Sequence, residues 1–428
     1  MGWKGALFAI VLGAALAQAR PWTYTDAISD DYKPSEYDWN ALSTRRVNMR
    51  AIALVGLDAA RFHQGDASLN QVGDLSRYDR LDVRGVRFGV GGTINFERPW
   101  SYLFSISINS LAQDYDSEND PAVTILDALV SIPVWGEYGY LRIGKMKEPD
   151  SMTRMMGLVF EQVMERPMHV DAFTPTRNIG ITLSDVLLQR RMTWRAGIFN
   201  DWLDRGRPDI ADNNTQFIGR VTGIPYENIA RQELLHLGLS YRYTDVKEPY
   251  LRYQVGPEFS YCPPWLDTGE IPADRSDMVN LEFSWLRGPW WFDAEYTRQN
   301  VDSSRYGTLS FDGWHASLNW FLTGEYRGYD YIRGIVKRVR PDRPVTEGGW
   351  GALELSARYS RLDLNDKAVQ GGRMGIWSLG AVWHPMYEVQ FHVQWSRADL
   401  TGPVPARQIP AGRSRTDILQ FRFVLLID

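Results

Sequence analysis

The sequence predicts an all-β fold, a transmembrane antiparallel β-barrel of about 16 strands, and three observations support this prediction. First, hydrophobic and polar residues alternate with a period of two from about Val47 onward. Second, the apolar faces of these segments end in Trp and Tyr. Third, short turns and long polar loops alternate along the chain. Because successive side chains of a strand point to opposite faces, each segment has one apolar and one polar face.

The alternation is clear near the C-terminus, where Val389, Phe391 and Val393 are interleaved with polar residues such as Gln390. Segments of this kind are predicted to begin near Val47, Leu81, Trp100, Ala122, Tyr138, Asn178, Met192, Thr215, Glu233, Met278, Trp290, Asp312, Gly351, Gly375, Tyr387 and Asp417. The stretch Leu251–Tyr261 is either another strand or an ordered loop. An even number of strands places the two termini of the barrel's chain on the same side of the membrane.

The connections between the segments fall into two classes. Short links are predicted at Glu97-Arg98-Pro99, Gln189-Arg190, Arg287-Gly288-Pro289 and His384-Pro385-Met386. Long polar links are predicted at Gln64–Arg80, Lys147–Arg177, Asn200–Asn214, Thr244–Asp277 and Asn300–Phe311. Short turns on one side and long loops on the other are typical of an outer-membrane barrel. One long link, Gly324–Gly349, falls on the short-turn side.

A soluble β-sandwich or β-propeller also alternates, but two features favour the membrane. The aromatic residues at the ends of the apolar faces match the girdles found at membrane interfaces. Charged residues also occur in the middle of the polar faces, where a sandwich would have an apolar core. With the apolar side outward, Leu318, Trp320, Phe391 and Val393 should face lipid.

The composition excludes several other classes. The 428 residues have a mean hydropathy of −0.34, too polar for repeated helical spans of about 20 apolar residues. An aromatic content of 13% is too high for a disordered chain. The net charge of −5 argues against nucleic acid as a partner, and the single Cys262 allows neither a disulfide framework nor a Cys-based zinc site.

The N-terminus has the features of a secretory signal peptide. Lys4 provides a positive start, Ala6–Ala17 is an apolar core, and Ala17-Gln18-Ala19 is a small-residue cleavage site. We therefore predict a signal peptide over residues 1–19, a periplasmic segment over 20–46 and the barrel over 47–428. The predicted location is the bacterial outer membrane.

No catalytic, cofactor or metal site is predicted. Gly139–Lys145 fits the first positions of a phosphate-binding loop, but Met146 replaces the Ser or Thr that would hold magnesium, and the segment alternates as a strand. The six His residues show no metal-binding spacing, and there is no nucleophile elbow. We therefore do not expect an enzyme.

The region from Tyr140 to Ser184 resembles the phosphate-selective porins, known as porins O and P. It carries LRIGKMKEP at the end of a strand, a long loop with Glu165-Arg166, and a return strand opening with Arg177-Asn178-Ile179-Gly180. The second half agrees in order, with Gly288-Pro289, Glu295-Tyr296, Phe321–Arg327, Trp350, Glu354, Ala357–Ser360 and Gly371-Gly372. The resemblance covers nearly all of the chain after the signal peptide.

This resemblance implies a sixteen-stranded homotrimeric porin, with outer-membrane lipid and small anions as its other partners. The loop Lys147–Arg177 would fold into the lumen as a constriction. Phosphate or polyphosphate would be the conducted anion. The loop itself has mixed charge, with basic Lys147, Arg154, Arg166 and Arg177 beside five acidic residues.

The alternation also assigns an inward row of basic side chains. The predicted pore-lining, anion-binding residues are Arg50, Arg87, Arg142, Lys147, Arg154, Arg166, Arg195, Arg220, Arg242, Arg358 and Arg422. Inward acidic residues are predicted at Asp58, Asp127, Glu282, Asp293, Glu295 and Glu354. The chain has 40 Arg and only 7 Lys, and the planar guanidinium group binds phosphate through two parallel hydrogen bonds.

The leading interpretation is a passive, anion-preferring porin, in which several binding sites in series let anions enter and leave. The link Gly324–Gly349, as a second element folding inward, would make the periplasmic mouth positive. Two alternatives remain at this point: a general or cation-preferring diffusion porin, and a structural or adhesive barrel without substrate selectivity.

Overall fold

The computed structural model describes residues 40–112, 121–205, 210–404 and 409–428. The predicted signal peptide and most of the predicted periplasmic segment lie outside these residues. The sixteen barrel strands are β1 (Val47–Gln64), β2 (Leu81–Ile94), β3 (Trp100–Ile108), β4 (Val123–Trp135), β5 (Gly139–Met146), β6 (Asn178–Leu187), β7 (Met192–Asn200), β8 (Thr215–Asn228), β9 (Glu233–Asp245), β10 (Arg275–Arg287), β11 (Trp290–Ser303), β12 (Gly307–Phe321), β13 (Ala352–Asp366), β14 (Val369–Met386), β15 (Val389–Val404) and β16 (Ile409–Ile427).

The sheet closes on itself. Each strand pairs antiparallel with the next one along the chain, and β1 pairs with both β2 and β16. The closing register runs from Ala53 opposite Ile427 to Gln64 opposite Thr416. A short strand, Ala41–Ser43, pairs antiparallel with the first residues of β1. The structure confirms the predicted closed barrel of sixteen antiparallel strands.

The inner and outer faces follow the sequence alternation. The predicted lipid-facing side chains of Leu318, Trp320, Phe391 and Val393 are 44%, 36%, 43% and 41% exposed. Their polar neighbours in the same strands are buried on the inner side. Trp290 stacks on Trp320 across β11 and β12, as expected in an aromatic girdle. No helix among the described residues combines the length and the hydropathy needed to cross a membrane.

One predicted loop is wrong. The link Asn300–Phe311 is a tight hairpin, because β11 ends at Ser303 and β12 begins at Gly307. The inward positions continue through Val301 and Phe311, but at this end of the barrel they are apolar and buried. The outward positions are polar here, so the usual polarity of the strands is inverted and the sequence resembles a loop. The turn predicted at His384-Pro385-Met386 also shifts, because β14 extends to Met386.

Loops fill the half of the lumen nearest the long-loop end. Its apolar core contains residues of the first loop (65–80), the third loop (147–177) and the fifth loop (246–274), packed against inward side chains of β1 and β10–β16. Short helices in these and other connections are Asp66–Val72, Met152–Met155, Met168–Phe173 and Trp202–Arg205, with 3₁₀ turns at Ser76–Tyr78, Leu158–Phe160, Ile210–Asp212, Ile229–Arg231 and Val345–Glu347. Leu251–Tyr261 is an ordered part of the fifth loop. In the same loop, the two-residue strand Gln254–Val255 pairs with Leu266–Asp267.

The long connection on the short-turn side, residues 322–351, also folds into the barrel. Its hairpin pairs Tyr329–Asp330 with Ile335–Val336, and all four side chains are buried. An apolar cluster joins this hairpin to Met152 and Met156 of the third loop. The lumen is therefore occupied from both ends.

Candidate functional site

The third loop crosses the lumen and docks on the opposite wall. Thr153 donates through its backbone N and its Oγ1 to the Glu295 carboxylate, at 2.8 and 2.9 Å. Farther along, the Met164 backbone N donates to Gln394 Oε1 at 2.8 Å. His169 Nε2 lies 3.0 Å from His315 Nδ1. The loop is thus fixed to β11, β12 and β15, and it narrows the passage as a constriction.

A cavity of about 450 Å³ remains between the third loop, the fifth loop and the wall strand β2. We call it the basic cavity. Six cationic side chains line it: Arg84, Arg87, Lys147, Arg154, Arg166 and Arg177. Three carboxylates line it as well: Glu165, Asp171 and Glu258.

Three of the six cations are paired with carboxylates. Arg84 makes two hydrogen bonds to Glu165, at 2.8 and 2.9 Å. Arg177 binds Asp127 in the same two-pronged way, at 2.9 and 3.1 Å. Arg154 Nη2 lies 3.0 Å from Asp171. These contacts hold the arginine planes in place.

The other three cations form no close ion pair with a carboxylate in the described structure. Lys147 Nζ and Arg166 Nη2 both donate to the Met156 backbone oxygen, at 2.5 and 3.0 Å. The carboxylate nearest to Arg166 belongs to Glu161, at 3.8 Å. Arg87 Nε is buried and makes no hydrogen bond. The charges around Arg87 are mostly positive, so the basic cavity carries uncompensated positive charge.

The pKa values of the loop groups reflect this charge. Burial, together with the Arg166 and Arg177 guanidinium groups, lowers the pKa of Lys147 well below its usual value. Burial raises the pKa of Glu165, but Arg84 and Arg422 outweigh it and hold that pKa well below its usual range. An anion in the cavity would offset the repulsion that Lys147 experiences.

A second basic cluster lies on the wall, between the third loop and the short-turn end. It consists of Arg142 on β5, Arg195 on β7 and Arg333 in the inward-folded connection. Arg142 Nη1 donates to Ser184 Oγ at 2.6 Å. The charges acting on Arg195 are those of Arg142, Arg220 and Arg333, with Asp330 as the opposing carboxylate. We call this set the lower cluster.

The remaining predicted site residues have structural contacts. Arg220 makes two hydrogen bonds to Glu282, at 2.7 and 2.8 Å, and Arg422 makes two to Asp58, both of 2.7 Å. Arg242 lies 3.2 Å from Asp150, and Arg358 forms an ion pair with Glu258. Arg50 donates a hydrogen bond to the Asp428 backbone oxygen at 3.3 Å. Four of them also bind backbone oxygens of the inward-folded segments: Arg220 at Gly334, Arg242 at Phe173, Arg358 at Glu165 and Arg422 at Met164.

The predicted set therefore divides into three groups. Four residues line the basic cavity: Arg87, Lys147, Arg154 and Arg166. Arg142 and Arg195 belong to the lower cluster. The other five, Arg50, Arg220, Arg242, Arg358 and Arg422, tether loops, the inward connection or the chain end to the wall.

The predicted set missed Arg84, Arg177 and Arg333. Arg84 and Arg87 are three residues apart, so a strict period of two places them on opposite faces. The register of β1 and β2 shifts between Gly56 and Leu57, and this irregularity turns both arginines inward. The sequence shows Arg177 as a basic loop residue, but its position over the cavity depends on the loop fold. No group of three or more His, Cys, Asp or Glu suited to a metal ion occurs within the described parts of the chain.

Comparison with known proteins identifies the family. The family model described as phosphate-selective porin O and P matches residues 57–425 of this chain. An uncharacterized protein of Caulobacter vibrioides is 29% identical over 300 residues, which cover 68% of this chain and 59% of that protein. Porin O of Pseudomonas aeruginosa is 24% identical over 157 residues, or 32% of this chain and 35% of the porin. The chain thus matches less than two thirds of the length of each relative.

Solved structures share the fold. The trimer form of OmpT from Vibrio cholerae aligns with a TM-score of 0.56 at 8% identity, covering 89% of this chain and 100% of OmpT. An anion-selective porin from Comamonas acidovorans aligns with a TM-score of 0.53 at 13% identity, covering 89% and 100%. The barrel, its inserted loop and the match over residues 57–425 lead to one conclusion: this chain is an outer-membrane protein of the phosphate-selective porin O and P family.

Proposed function

We propose that the chain is a passive diffusion porin that prefers small anions, with phosphate and short polyphosphates as its substrate class. The observation that carries this proposal is the basic cavity, in which six cationic side chains face three carboxylates at the constriction. Guanidinium groups present paired N–H donors that match phosphate oxygens, and they remain charged at any physiological pH.

The arrangement of two basic sites in series supports passage as well as binding. An anion leaving the basic cavity meets the lower cluster, so neither site has to bind it tightly. The relatives add further support, because Porin O and the Comamonas anion-selective porin are named as porins. We further propose a homotrimer in outer-membrane lipid, a state that the trimer form of OmpT illustrates for this fold.

The decisive experiment is the reversal potential of the purified protein in planar bilayers under a KCl gradient. The proposal predicts that chloride is more permeant than potassium and that added phosphate reduces the chloride current. A preference for potassium would instead indicate the general or cation-preferring porin. The absence of any conductance would indicate a structural or adhesive barrel. An anion preference without a phosphate effect would retain the mechanism and exclude phosphate as the substrate.

A further inference from the structure

The segment of the third loop from Met155 to Leu158 lies between the two basic sites. Gly157 and Leu158 line the basic cavity on one side. The backbone oxygen of Met156 accepts hydrogen bonds from Lys147 and Arg166, both of which also line that cavity. The Met155 side chain, in contrast, reaches Arg195 of the lower cluster.

The contact with Arg195 fixes the direction in which Met155 points. Arg195 Nη1 lies 3.9 Å from Met155 Sδ. Lys147 Nζ lies 3.4 Å from the Met155 backbone oxygen. One residue therefore contacts a cation of the basic cavity through its backbone and a cation of the lower cluster through its side chain. Its position is the boundary between the two sites.

Met155 also differs in burial from the other residues of its short helix, Met152–Met155. The side chains of Met152, Thr153 and Arg154 are fully buried, whereas that of Met155 is partly exposed. Met152 and Met156 belong to the apolar cluster that joins the third loop to the inward-folded connection, and the partly buried Met155 packs against this cluster. Within this short helix, the Met155 side chain is therefore the accessible one.

We propose that Met155 is the size-limiting residue of this channel, an inference that rests on the proposed anion passage between the two sites. The thioether side chain has three rotatable bonds and a polarizable sulfur, so it adapts to a passing solute. An apolar group alone would repel a partly dehydrated anion, but cations lie on both sides of it. Met155 therefore limits the width of the passage, while the arginine and lysine side chains determine its charge preference.

The first test is Met155→Ala, measured as single-channel conductance and as the relative permeability of chloride, phosphate, pyrophosphate and tripolyphosphate. Removing the side chain beyond Cβ widens the passage, so conductance should rise above the wild-type value. The gain in relative permeability should be larger for tripolyphosphate than for chloride. The anion-to-cation permeability ratio should stay the same, because no charge changes. Met155→Trp should lower the conductance.

Met192→Ala provides a matched control. Met192 begins β7, the strand that carries Arg195, and its immediate neighbour Thr193 is buried on the inner face. The alternation places Met192 on the outer face, so the control removes the same atoms from the lipid side of the same strand. Its conductance and size dependence should match the wild type. Heat-modifiability on gels confirms that every variant forms a folded barrel.

A second test uses Met155→Cys in a Cys262→Ser background, because Cys262 lines the basic cavity. The anionic reagent sulfonatoethyl methanethiosulfonate attaches a bulky group to the new thiol, and the current should fall. Phosphate in the bath should slow this reaction. An unchanged conductance in both Met155→Ala and Met155→Trp would overturn the inference, whatever the outcome of the labelling.

The two proposals fail in different measurements. If the wild-type pore prefers potassium, the proposed anion selectivity is wrong, and the conductance of the Met155 variants in KCl still determines whether this residue limits the width. If the wild-type pore prefers anions and the Met155 variants conduct normally, only the size-limiting role is wrong.

Discussion

Replacing Arg87 with glutamine should weaken the proposed anion preference of the pore without altering its fold. Arg87 lines the basic cavity, and its Nε has no hydrogen-bond partner. The neighbouring Arg84 and Arg177, in contrast, are each bound to a carboxylate by two hydrogen bonds. Arg87→Gln therefore removes positive charge without leaving a carboxylate unpaired.

The size of the effect follows from the dimensions of the cavity. A sphere of 450 Å³ has a radius of about 5 Å, and a unit charge at that distance changes the energy of an anion by about 0.8 kcal/mol in a water-like dielectric. Screening with a Debye length of about 8 Å reduces this to about 0.4 kcal/mol. A cation is affected equally and in the opposite direction. The anion-to-cation permeability ratio should therefore fall about fourfold.

The assay is the reversal potential under a KCl gradient at about 0.15 M ionic strength. At 1 M, where the Debye length is about 3 Å, the fall in the permeability ratio should be less than about twofold. The control is Arg298→Gln, which removes the same charge from an exposed position on β11, where Arg298 bonds to Asn300 and Ser310. This variant should behave as the wild type. A ratio that is unchanged or higher in Arg87→Gln would refute the assignment of the basic cavity to the conduction path.

Three further predictions concern insertion, acid response and processing. Phe391→Arg should impair barrel assembly, because a charge on the lipid face costs about 2–4 kcal/mol near the bilayer midplane. Phe391→Leu is the control. An equal yield of heat-modifiable barrel from the two variants would contradict the outward assignment of Phe391. Burial and His315 lower the pKa of His169 well below its usual value, so the docked third loop binds fewer protons than a released loop. The free energy that holds the third loop in its docked position is therefore at its maximum above about pH 6.5. Below that pH it falls by up to about 1.4 kcal/mol per pH unit. Release of the loop should increase the current fluctuations of the wild-type pore as the pH falls from 6.5 to 5, and the increase should be smaller in His169→Gln. Identical pH profiles of the two proteins would contradict a role of His169 in docking. Mass spectrometry of protein from the outer membrane should show cleavage after Ala19, and retention of Met1 would disprove the predicted signal peptide.

The barrel could be predicted from the sequence because a single rule, alternation of period two, determines both the strands and their faces. It failed at Asn300–Phe311, where strands β11 and β12 extend beyond the aromatic girdle. Inward Val301 and Phe311 pack there against the loops that fill the lumen. The rule assumes a polar lumen and an apolar exterior, and both assumptions reverse at this end of the barrel.

The site could be predicted only in part, because facing inward does not determine what an arginine contacts. The alternation places Arg87 and Arg422 on the inner face in the same way. Arg422 is neutralised by Asp58 and bound to the third loop, whereas Arg87 has mainly positive neighbours. The difference arises from where the third loop lies, and residues far apart in the sequence determine that position. No local pattern in β2 or β16 contains this information.

The net charge of −5 is compatible with an anion-preferring constriction, because the charges are distributed unevenly. On the outer face, carboxylates near the long-loop end are paired with arginines, as in Arg397–Asp417 and Arg415–Asp399. Other carboxylates on the inner face neutralise the tethering arginines. Charges more than about 8–10 Å from a permeating ion are screened at physiological ionic strength. The proposed selectivity therefore depends on the few charges around the basic cavity, where cations outnumber carboxylates, and the overall acidity of the chain has little influence on it.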